Sequence, residues 1–129
     1  MKILSIGKYL LCAAALLLAC TQVKAQKIIA GKIAAITEIT PKPGEEKAVL
    51  EAAKYIQKEA SKEPGCLLFS LNTEKDNPGV VVLYEVFKDQ TALDRHKKQA
   101  HTQHFLASLD GKYADNKVTF LNTINTYYH

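Results

Sequence analysis

Apolar residues change their spacing several times along the chain, and each change marks an element. Residues 27–40 carry Ile28, Ile29, Ile33, Ile36 and Ile39 and run into Pro41-Lys42-Pro43-Gly44. A β-branched run halted by proline and glycine predicts a strand followed by a turn. Over residues 45–61 the spacing becomes helical, with Val49, Ala52, Ala53, Ile56 and Ala60 on one side and acids in the first turn. Glu63-Pro64-Gly65 breaks the chain. Strands are predicted over 66–73 and 80–87, joined as a hairpin through Asp76-Asn77-Pro78-Gly79. Asp89 is placed to cap a helix over 90–99, a further helix covers 101–109 and stops at Asp110-Gly111, and 118–128 forms the last strand.

The order β-α-β-β-α-(α)-β predicts an α+β ferredoxin-like sandwich. Its two middle strands are apolar on both faces. Leu67, Phe69 and Leu71 alternate with Cys66 and Leu68, and Val81, Leu83 and Phe87 alternate with Val82, Tyr84 and Val86. Such a sheet needs cover on both sides, and one chain has helices for only one. A homodimer with two sheets face to face is therefore expected.

The first 25 residues stand apart. They contain three lysines, no acid and an apolar run over residues 10–19. That run is too short for a membrane span, which needs roughly 20 residues, but suits the core of an export signal. Val23-Lys24-Ala25 fits a cleavage site, leaving residues 26–129 as a single domain. The alternative is a lipoprotein signal over residues 1–19, which Leu17-Leu18-Ala19-Cys20 resembles, with the membrane reached only through an acylated Cys20. Either route places the domain outside the cytoplasm, periplasmic or secreted, or anchored at the membrane.

Setting the leader aside changes the charge. The whole chain is +4; residues 26–129 hold 14 Lys and Arg against 13 acids, a net +1. No basic patch marks a nucleic-acid partner. Of the three cysteines only Cys66 lies past the leader, so no disulfide forms within the domain and Cys66 is expected in the core.

Candidate chemistry gathers between residues 84 and 105. Three of the four histidines are His96, His101 and His104. His96 follows Ala92 and Leu93 by about one turn, and His101 precedes Phe105 by four, which puts both on inward sides, whereas His104 falls off that stripe. The histidines lack the carboxylate or cysteine spacing of a metal centre, so no metal is assigned. Dinucleotide, P-loop and H-E-x-x-H motifs are absent from the sequence, as is a serine elbow.

Glu63-Pro64-Gly65-Cys66, Leu83-Tyr84-Glu85-Val86-Phe87, Ala92-Leu93-x-x-His96 and His101-x-x-His104-Phe105, in that order, resemble the antibiotic biosynthesis monooxygenase superfamily, in particular its small quinol-monooxygenase-like branch. The likeness spans about residues 28–124. It implies a dimeric α+β barrel with a ligand cavity in each subunit. It also implies oxidation of a quinol or phenolic aromatic by O2 with no cofactor. On that basis His96 is the expected base, Glu85 orients it or shares its proton, and His101 shapes the pocket or binds a substrate oxygen. Tyr84, Phe87, Asn72 and Phe105 are the expected substrate contacts. Phe87 and Thr102 depart from the family pattern, where tryptophan and an aromatic are common. The lack of tryptophan counts against the haem-degrading branch. Two other classes fit the same residues: an isomerase using His96 and Glu85 for proton transfer, and a binding module without chemistry. An isomerase acting on a phosphosugar would have only Lys97 and Lys98 near the site to hold the phosphate.

Overall fold

A computed structural model describes residues 31–125. The leader, the start of the predicted first strand and the end of the predicted last one lie outside the described residues. Four strands and three helices follow in the order β1 (Ile33–Pro41), α1 (Glu46–Ala60), β2 (Cys66–Thr73), β3 (Val81–Phe87), α2 (Gln90–Lys98), α3 (Ala100–Ser108) and β4 (Tyr113–Asn122). The strands form one antiparallel sheet in the order β2-β3-β1-β4. This is the α+β ferredoxin-like arrangement that the element order predicted.

The period of two along each strand sorts the sheet into two faces. Ile39 and Leu83 point toward the helices, with Glu85 and Phe87 further along β3 on the same side. Phe69 joins them because a bulge between Cys66 and Leu68 resets the register of β2. Helix α1 answers with Val49, Ala53, Ile56 and Ala60, all buried, at the spacing expected for one helical face. Phe105 and Leu109 close this core from the α3 side. A smaller cluster of Phe87, Ala92 and Leu93 seats α2 on the end of β3.

Two boundaries differ from the sequence reading. β4 starts at Tyr113, not at 118, because the polar stretch Tyr113–Lys117 pairs by its backbone with β1 from Pro41 to Glu38. Edge strands satisfy their ladder bonds whatever their side chains, so hydropathy undercounts them. The break predicted between the two helices falls one residue earlier, at Gln99, which is extended (φ −65°, ψ 146°) and ends α2 while opening α3. Helix α2 is capped as expected: the Asp89 carboxylate accepts from the Ala92 N–H at 2.8 Å.

Candidate active site

The turn after α1 places Glu63. Its own N–H donates to the Ala60 carbonyl at 3.0 Å, and its carbonyl accepts from the Cys66 N–H at 3.0 Å. The next glycine, Gly65, lets this turn meet α2. A Cβ there would lie 2.4 Å from the Ala92 Cβ, so only glycine fits without a shift. Glu63 thereby sits beneath the joint between α2 and α3.

That joint brings two histidines to one carboxylate. On a continuous helix, residues five apart point about 140° away from each other. The extended Gln99 undoes this separation. His96 Nδ1 lies 2.7 Å and His101 Nε2 lies 2.6 Å from the same Glu63 Oε1. Both ring N–H groups donate, and the carboxylate oxygen accepts. Held in this way, a neutral His96 carries its hydrogen on Nδ1, which leaves the Nε2 lone pair free. His96 Nε2 stands 3.6 Å from Glu85 Oε2. The three side chains are nearly shielded from water, with Glu63 9%, His96 8% and Glu85 8% exposed.

Burial dominates the ionisation of Glu85. It pushes the carboxyl up from 4.5 to about 7, with the nearby Glu63 charge adding to the effect. Glu85 thus keeps its proton into the neutral range. Cys66 is driven the other way from reactivity. Burial, then Glu85, then Glu63 raise its thiol to about 11, in keeping with a packing role.

A cavity of about 180 Å³ opens beside His96. Its walls are largely apolar, built from residues such as Leu93, Phe105, Leu106, Val118 and Phe120, with His96 and Glu85 on its border. The outer wall is β4, where Val118 is 47% and Phe120 50% exposed.

The predicted site residues divide accordingly. His96, Glu85 and Phe105 meet at the cavity. His101 stands behind them, on the far side of the Glu63 contact. Phe87 is fully buried, its ring centroid 4.9 Å from that of His96, so it backs the imidazole instead of facing a substrate. Tyr84 and Asn72 do not reach the cavity, and their expected substrate contacts are corrected here. Tyr84 precedes Glu85 on β3 and therefore points to the opposite face of the sheet. Asn72 lies on that same opposite face, where its amide donates to the Val82 carbonyl at 3.3 Å. His104 is exposed as expected and meets Tyr55 edge-on.

Glu63 and Thr102 received no role from the sequence. Glu63 stood in a recognised turn, but its histidines are 33 and 38 residues away. The Glu63, His96 and His101 ligand atoms also lie within 4.8 Å of one another, close enough to take a metal ion. Binding one would require both histidines to give up their hydrogen bonds to Glu63 Oε1.

Solved structures share this architecture. PA3566 of Pseudomonas aeruginosa superposes with a TM-score of 0.70 at 22% identity, over 74% of this chain and 97% of its own. Rv0793 of Mycobacterium tuberculosis gives 0.70 at 24% identity over 74% and 97%. A third structure, itself named an antibiotic biosynthesis monooxygenase, gives 0.66 at 24% identity over 71% and 98%. At these identities the likeness is one of fold. No curated protein matches the sequence. The profile of one family does, over residues 32–108, a span that takes in Glu63, Glu85, His96 and His101. Because that match covers more than half of the chain, the chain belongs to the antibiotic biosynthesis monooxygenase family.

Proposed function

We propose that this domain oxidises a quinol or phenol with O2, using its own side chains and no organic cofactor. One observation carries the reading: His96, held at Nδ1 by Glu63, turns its basic Nε2 toward a cavity-lining Glu85 beside an apolar chamber. The size is suitable, since a dry apolar cavity of about 150 Å³ accepts a benzene ring.

The chemistry asks little of the protein. His96 Nε2 takes a phenolic proton, and Glu63 stabilises the imidazolium that results. The electron-rich phenolate then reduces O2. One oxygen atom replaces a ring hydrogen and the other leaves as water. A hydroquinone so becomes a hydroxyquinone, and its four-electron oxidation matches the four-electron reduction of O2. Glu85 relays protons to the departing oxygen, and the apolar walls keep bulk water from the intermediate. We place the reaction outside the cytoplasm, on the strength of residues 1–25, and in a homodimer, on the strength of the apolar second face of the sheet.

The test is oxygen uptake by the purified domain with a panel of hydroquinones and phenols, chelator present throughout. Uptake of one O2 per quinol is expected, reduced at least about 100-fold in His96→Gln. Undiminished uptake in that variant removes His96 from the mechanism. A folded protein that consumes no O2 with any of the panel overturns the oxidation itself.

A further inference from the structure

Proton transfer uses Glu63, His96 and Glu85; of the other polar residues on the cavity wall, Thr37, Asn116, Thr102 and Lys97, two carry a feature that points to a ligand. Thr102, near the start of α3, is 7% exposed, and its Oγ1 has no hydrogen-bond partner among the described residues. It lines the cavity. A shielded hydroxyl left unpaired is destabilising, and buried polar side chains are rarely left so. A ligand oxygen inside the cavity would supply the missing partner.

Lys97 is the second group. It is exposed yet also borders the cavity, which puts it at the mouth. Its ammonium lies 4.7 Å from the centroid of Phe120, itself part of the wall. Among the described residues lining the cavity it is the one lysine or arginine, and Glu85 is the one acid. An exposed cation–π contact is weak enough for an anion to draw the ammonium away.

The structure assigns Thr102 and Lys97 as the two groups that select the ligand: Thr102 Oγ1 bonds a ring oxygen inside the cavity, and Lys97 pairs at the mouth with an acidic substituent. The substrate class is then a hydroxylated aromatic acid, not a neutral quinol. This rests on the reading of the cavity as the oxidation site, but its test does not require turnover.

Calorimetric titration under nitrogen compares hydroquinone with 2,5-dihydroxybenzoate, which differs only by a carboxylate. The wild-type domain should bind the acid about tenfold more tightly. Lys97→Met should bring the two ligands to parity. Thr102→Val should weaken both about five- to tenfold, as loss of one hydrogen bond implies, while Thr102→Ser retains them. Ligand-free Thr102→Val should unfold at or above the wild-type temperature, which shows that its loss of binding is local. Equal binding of both compounds by wild type, or a preference that survives in Lys97→Met, overturns the role of Lys97. Unchanged affinity in Thr102→Val overturns that of Thr102, and binding of neither compound overturns the ligand class. Oxygen uptake is scored apart. The expected binding pattern without uptake keeps this assignment and rejects the oxidation, whereas uptake of hydroquinone without preference for the acid does the reverse.

Discussion

A single oxygen, Glu63 Oε1, accepts from two imidazoles, and the character of the site follows from it. The carboxylate chooses the His96 tautomer and offsets the positive charge that appears when His96 takes a proton. Glu63→Gln keeps the shape but removes the charge. Quinol oxidation should fall by at least about tenfold with little change in thermal midpoint, as measured by oxygen uptake beside thermal unfolding. Glu85 lends itself to a stability test. Its folded carboxyl titrates at about 7 against an ordinary 4.5. Below pH 4.5 both folded and unfolded chains hold the proton and there is no penalty. Between 4.5 and 7 only the folded chain holds it, so stability falls as pH rises, by an amount on the order of 3 kcal/mol in all. Glu85→Gln should flatten this slope and be the more stable protein at pH 8. A slope that persists in the variant, followed by thermal unfolding against pH, would assign the effect elsewhere.

Among the elements, the α2–α3 joint and the Gly65 turn act together. Gln99 breaks the helix so that His96 and His101 converge, and Gly65 lets the turn bearing Glu63 come within reach of them. Gly65→Ala would drive a methyl into Ala92. Such overpacking should cost about 1–3 kcal/mol in chemical denaturation. It should also lower turnover more than a core change away from the cavity such as Val49→Ala, because it displaces the carboxylate itself. Equal turnover in the two variants would mean that the turn only packs. The glycine and the helix pattern of α2 were legible in the sequence. The break between the two helices was legible to within one residue; that it turns His96 and His101 onto one carboxylate was not, because Glu63 lies more than thirty positions away.

For the molecule as a whole, the helices cover one face of the sheet and leave Leu68 43% and Leu121 42% exposed on the other. Tyr84 and Val82 share that face with them. We expect a second copy to cover it, so that the purified domain sediments as a dimer and Leu68→Lys shifts it toward the monomer. A wild-type monomer in sedimentation equilibrium at micromolar concentration would reject the pairing. Here too Tyr84 finds a physical place. Its neighbour Glu85 belongs to the cavity, and the alternation of a strand sends Tyr84 to the opposite face.

The order of elements and the α+β sandwich were determined by the sequence alone, because hydrophobic period and turn residues are local quantities read within a few positions, and the chain's motifs already resembled the family whose profile it matches. So was the inward placement of His96, which sits one turn beyond Ala92 and Leu93. The tertiary structure alone decided what those residues face. Glu63 meets histidines more than thirty positions away, Thr102 Oγ1 is buried with no hydrogen-bond partner among the described residues, and the polar start of β4 becomes a strand only against β1. Each of these depends on contacts between distant segments, and such contacts have no period along the chain.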